Sequence, residues 1–75
     1  MSKTSLINMI LASIGAAVGE KESRVVADVL VNVLGELNFN TSFLLSTLFD
    51  IRIMVNNNHD LDGVYIIDEL IGEFR

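Results

Sequence analysis

Cysteine, proline, tryptophan and glutamine are all absent from this chain of 75 residues, and basic residues are few. Without cysteine there is no disulfide scaffold, no thiolate metal site and no cysteine nucleophile. Five Lys and Arg stand against ten Asp and Glu, for a net charge of −5 with the one histidine neutral. That balance argues against nucleic acid as a partner, since phosphate binding needs a basic stripe. Only 20% of the residues are charged, which excludes the composition of a disordered chain. The five glycines occur singly, so none builds a loop that could cradle phosphate.

What is present in excess is apolar side chain. The apolar class makes up 51% of the residues. Counting the glycines as well brings it to about 57%, above the usual 45–50%. A domain of this size buries only about 60% of the surface its unfolded chain exposes. One copy therefore cannot hide all of its apolar groups, and the surplus points to a second chain, another protein or a membrane. A homo-oligomer is the expected answer, because most soluble oligomers are symmetric assemblies of one chain. The expected setting is cytoplasmic.

Lys3, the run from Leu6 to Val18 and the small residues around it have the outline of a signal peptide. At about 13 residues the run is too short to span a bilayer, which takes about 20. Cleavage near Gly19 would also leave too little chain to fold without disulfides, so an internal helix is the expected reading. A membrane is not expected as a partner.

Four segments carry helical periodicity, and the expected fold is all-α: about four short helices in one compact, oligomeric bundle spanning residues 1–75. The first, about Thr4 to Val18, places Ile7, Ile10, Leu11, Ile14 and Val18 on one face. Asn8, Ala12, Gly15 and Gly19 form a narrow stripe on the other. Gly15-Ala-Ala-Val-Gly19 has the small-xxx-small spacing that permits close helix approach, and Gly19 is a natural stop.

The second segment, about Lys21 to Leu37, puts Val26, Val29, Leu30, Val33 and Leu37 on one side. Lys21, Arg24, Asp28, Asn32 and Gly35 line the other. Glu20 and Glu22 suit its positive end. Asn38 is placed to close it in the left-handed conformation, with Phe39 folding back on Leu34. The third begins after Asn40 or Thr41, both good N-caps. Leu44, Leu48, Ile51 and Val55 form its main stripe, and Phe49 and Ile53 give it a second apolar side. The fourth follows the polar stretch Asn56 to Gly63, capped by Asp60 or Asp62. Val64, Ile67, Leu70, Ile71 and Phe74 point inward there, and Tyr65, Asp68, Glu69 and Glu73 outward. Ile51–Val55 and Val64–Ile67 also have strand-like composition, so an α+β fold with a C-terminal β-hairpin, 51–55 paired with 64–67, is the alternative.

Residues 58–69, Asn-His-Asp-Leu-Asp-Gly-Val-Tyr-Ile-Ile-Asp-Glu, carry oxygen side chains at positions one, three and five, glycine at six and glutamate at twelve. In this the segment resembles an EF-hand calcium loop. The resemblance implies Asn58, Asp60, Asp62 and Glu69 as side-chain ligands of Ca²⁺ and Val64 as a carbonyl ligand. Asn58 stands where the family has aspartate, and Asn57 precedes the loop where the family has an apolar anchor. The plainer alternative is a solvated turn in which an aspartate caps the following helix.

Val33, Leu37, Phe39, Leu44 and Leu48 also have spacings usable by a helix-turn-helix, with the hairpin as a wing. Its second helix, Thr41 to Phe49, has no Lys or Arg, so such a domain would bind protein rather than DNA. Catalysis is not expected. His59 is the lone histidine in an asparagine-rich loop, and Asp68 and Glu69 are adjacent on a helix, about 100° apart, so they do not converge. The expected function is therefore non-enzymatic: a small adaptor, inhibitor or regulator that binds itself and another protein, without a cofactor. Ile7, Ile10, Leu11, Ala12, Ile14, Gly15, Ala16 and Gly19 of the first segment, with Phe43, Phe49 and Ile53 of the third, are the expected interface. A calcium-binding module is the rival.

Overall fold

The computed structural model describes residues 1–16 and 22–75. Four helices follow one another: α1 (Lys3–Ala16), α2 (Ser23–Leu37), α3 (Thr41–Asn57) and α4 (Leu61–Phe74). The expected helical architecture is what forms. Val18, the stop expected at Gly19 and the start at Lys21 lie outside the described residues.

The ends are set by local chemistry. Ser2 Oγ accepts from the Ser5 N–H at 3.1 Å and starts α1. α2 closes at Asn38, whose φ of 53° is the left-handed conformation expected for it. Asn40 Oδ1 then accepts from the Phe43 N–H at 3.1 Å and caps α3. Phe39 packs against the core and lies 5.9 Å, ring centre to ring centre, from Phe43. The link from α3 to α4 is equally short. His59 takes the left-handed position at φ 56°. The His59 N–H donates to Asn56 and the Asp60 N–H to Val55, a Schellman closure. Asp60 in turn caps α4, its Oδ1 accepting from the Gly63 N–H at 2.9 Å.

The alternative β-hairpin does not form, because residues 51–55 lie inside α3 and 64–67 inside α4. The β-branched residues there are consistent with strand, but packing decides. Ile51, Val55, Ile66 and Ile67 are all buried at helical spacing, and strand propensity yields to such tertiary contacts.

α4 packs extensively on α3 and on α2, α1 lies more lightly on α3, and α1 and α2 barely meet. The helices thus form a ring, α1–α3–α4–α2, left nearly open between its two ends. α2 and α3 do not pack on each other. The helix-turn-helix spacing of Val33, Leu37, Phe39, Leu44 and Leu48 does not bring α2 onto α3: Leu44 and Leu48 are buried, whereas Val33 and Leu37 stay exposed. The core runs from Leu6, Ile10 and Ile14 of α1 through Leu30 and Leu34 of α2. Leu44, Leu48 and Ile51 of α3 continue it to Ile66, Ile67 and Leu70 of α4. Thr47 is buried with them, its hydroxyl donating to the Phe43 carbonyl at 2.9 Å. A radius of gyration of 11.1 Å is what a packed domain of this length should have, about 11 Å.

Two of the expected stripes are rotated. On α1 the buried row is Leu6, Ile10 and Ile14, with Ile7, Met9 and Leu11 on its flanks. On α2 the buried residues are Val26, Ala27, Leu30 and Leu34, while Val29, Val33 and Leu37 are left exposed.

Candidate functional site

The open side of the ring holds the candidate site. On α2, Val25, Val29, Val33 and Leu37 recur every four residues and form one row along the helix, about 18 Å from end to end. They are 48%, 55%, 37% and 45% exposed, high values for four successive members of one helical row. Beside this row lies a groove of about 330 Å³, walled by Met9, Ser13 and Ala16 of α1 and by Val25, Val26, Val29, Leu30 and Val33 of α2.

Among the described residues no lining side chain is charged, and Ser13 supplies the only polar one. Its Oγ donates to the Met9 carbonyl at 3.0 Å, so its proton is already used. Small-molecule sites have volumes of about 300–1,000 Å³ and add a few convergent polar groups that orient the ligand. This groove reaches that size without the polar groups. Among the described residues no buried side-chain polar atom lacks a hydrogen-bond partner, so none is aimed into the groove waiting for one.

The expected interface residues fall into two sets. Ile10 and Ile14 are buried in the protein's own core, and Ile7, Leu11 and Phe43 are half-buried against it. They form part of the chain's own packing because the leucine and isoleucine row of α1 is its main contact with the bundle. Ala12, Gly15 and Ala16 are exposed, as are Phe49 and Ile53 on α3. Gly19 lies outside the described residues. Met54 on α3, with Leu61 and Tyr65 on α4, adds to the apolar surface of that pair of helices, away from the groove.

The five residues of the calcium-loop resemblance are not gathered around one point. Asn58 belongs to the α3 terminus, and Asp60 is engaged as the α4 cap. Asp62, Val64 and Glu69 are helical, so the Asp62 and Glu69 backbones lie about 10 Å apart along the axis. Gly63 sits inside the first turn of α4 rather than at a left-handed turn. A Cβ on it would come within 2.5 Å of Asp60 Oδ2 and 3.2 Å of Val55 Cβ. The glycine serves close packing of α4 against α3. Among the described residues no group of three or more His, Asp or Glu side chains could hold a metal ion.

Nor does the structure assemble a catalytic pair from the expected candidates. His59 is an exposed turn residue. Asp68 is bound to Arg52, Nε to Oδ1 at 2.7 Å, and this hydrogen bond and the carboxylate charge raise the arginine pKa further. Lys3 pairs with Asp50 at 2.6 Å. Both ion pairs are well exposed, so solvent screening leaves them little weight in stability. Among the described residues no helix is long and apolar enough to cross a membrane.

The α2 row went unrecognised in the sequence because its members share a helix with the buried row Val26, Leu30 and Leu34. Together the two rows make α2 apolar over about 180° of its circumference, more than one bundle contact uses. That width was the available signal. Comparison with known proteins adds nothing further: no protein-family model, curated protein or solved structure matches the chain.

Proposed function

We propose that this protein is a small non-enzymatic interaction protein, an adaptor, inhibitor or regulator that acts by binding other protein chains through the α1–α2 face. The observation that carries the reading is the α2 row, four large aliphatic side chains left partly in water beside an uncharged groove. Isolated exposed apolar residues are ordinary, but a contiguous apolar patch marks an interaction surface. The apolar character of the described lining favours a protein side-chain surface over a polar ligand, which would lose its hydration without recovering hydrogen bonds there.

A photo-cross-linking amino acid placed at Val29 in living cells tests this. The expected result is a discrete adduct of the chain with another polypeptide, and none from the same group placed at Glu73, which is exposed on α4. No adduct from position 29, or equal labelling from both positions, overturns the reading.

A further inference from the structure

We infer that α2 is the convertible helix of this fold: when the bundle opens, residues 29–34 pair as β-strands between copies of the chain and stack into a cross-β assembly. The inference goes beyond the binding-face reading and does not rest on it, because it concerns the backbone of α2 and not what covers the exposed row.

α2 is the least self-sufficient of the four helices. Ser2, Asn40 and Asp60 each cap a helix through a side-chain oxygen, whereas Glu22 at the start of α2 makes no such bond. Five of its 15 residues are valine, whose branched side chain loses rotamer freedom in a helix. Gly35 adds backbone freedom that folding must remove. Nothing lies within 4 Å of a Cβ built on Gly35, so no close contact offsets that loss. The tertiary support of α2 is its buried row, Val26, Ala27, Leu30 and Leu34, chiefly against α4. That support ends when the bundle opens.

Residues 29–34, Val-Leu-Val-Asn-Val-Leu, contain no charge, no glycine and no proline. Of the uncharged six-residue windows in the sequence, this one has the most β-branched residues. Such a window has the signature of strands that stack. In the helix its three valines are separated, Val31 half-buried and Val29 and Val33 exposed. In a strand they fall on one face, with Leu30, Asn32 and Leu34 on the other. Stacked copies then set valine on valine and align the Asn32 amides in a hydrogen-bonded ladder. The other strand-like segments are guarded. Arg52 interrupts residues 51–55, and residues 64–67 follow Gly63 and are closed in by Asp62, Asp68 and Glu69. Both belong to helices with side-chain caps.

The test is agitation of the purified full chain, each variant held at its own unfolding midpoint so that differences in stability drop out. Thioflavin fluorescence follows assembly, and fibre diffraction should show the strand spacing of about 4.7–4.8 Å. Asn32→Lys places a charge inside the segment, at an exposed position outside the groove lining. Asn8→Lys makes the same change at an exposed position of α1, within an uncharged window of its own. Lysine is the better helix former, so neither change opposes the fold. Each lowers the net negative charge by one, which by itself favours association.

Asn32→Lys should lengthen the lag severalfold or abolish the fibres, and Asn8→Lys should assemble at least as fast as the wild type. A wild type without cross-β diffraction overturns the inference. So does an Asn32→Lys chain with an undiminished rate, or an Asn8→Lys chain slowed as much. In wild-type fibres the amides of residues 29–34 should be protected from hydrogen exchange, and free exchange there would also refute it. Asn32 lies off the row of Val25, Val29, Val33 and Leu37, so cross-linking from position 29 in the cell stands or falls separately.

Discussion

Gly63→Ala is the substitution that most directly tests how α3 and α4 are joined. In a free helix the change is favourable by about 1 kcal/mol, because alanine is the better helix former. In this protein the added Cβ would stand 2.5 Å from Asp60 Oδ2, 2.8 Å from its Cγ and 3.2 Å from Val55 Cβ. The carboxylate can swing away, but it then releases the Gly63 N–H that it holds at 2.9 Å. Losing a cap costs about 0.5–2 kcal/mol. Val55 is 3% exposed and packed, so its side must be overpacked, at about 1–3 kcal/mol. The net expectation is a loss of about 1–3 kcal/mol. At about 4–8 °C per kcal/mol for a domain of this size, thermal unfolding followed by circular dichroism should show a clear drop.

The two causes separate in a double-mutant cycle. Asp60→Ala alone should cost about 1 kcal/mol through the cap. With the carboxylate gone, Gly63→Ala should cost less than it does in the wild type, a non-additivity expected of groups in contact. A Gly63→Ala protein as stable as the wild type would refute the argument, for the close approach of α4 to Val55 would then not exist.

His59→Gly should raise stability by about 0.5–1 kcal/mol, since a left-handed backbone at φ 56° suits glycine; an unchanged urea midpoint would count against the turn geometry. Gly35→Ala, with nothing within 4 Å of the new Cβ, should stabilise α2 by up to about 1 kcal/mol, and a lower melting temperature would show a hidden contact. Ala16→Leu puts a larger side chain at the groove wall and should weaken binding at the α1–α2 face while leaving the fold intact; an unchanged cross-linking yield from position 29 would remove the groove from the interface.

Much of the fold could be read from residue spacing, because long periodic segments with good caps leave little choice. Asn38, Asn40 and Asp60 each do locally what their side chains favour: a left-handed closure and two N-caps. The core of α3 was legible in Leu44, Leu48, Ile51 and Val55 for the same reason, since all four repeat at helical spacing and all are buried. The face of α2 was not. Val26 and Val29, or Leu30 and Val33, are equally apolar, and periodicity alone cannot say which row meets α4. Only the arrangement of the ring decides that, and it depends on contacts distant in sequence. The likeness of residues 58–69 to a calcium loop illustrates the converse. Oxygen side chains and a glycine at those spacings also serve a helix cap and a tight helix-to-helix approach, and here Asp60 and Gly63 hold each other in that role.

The open seam has a cause in side-chain size. A helix at the end of a ring must close on its other neighbour or leave a flank in water. α4 closes on both sides, and Gly63, Ile66, Ile67, Leu70 and Ile71 are all buried. α2 meets α4 with one row and turns its second row toward α1, where the facing residues include Ser13 and Ala16. Of the α1 wall residues Met9 is long, but Ser13 and Ala16 are too small to reach across to the valines. The gap persists because filling it from within would pull α1 off α3, where Leu6 and Ile10 are fully buried. The apolar surplus of the chain is thus not spread evenly over the surface. On α2 it collects in the row Val25, Val29, Val33 and Leu37, the first three of which also wall the groove against α1.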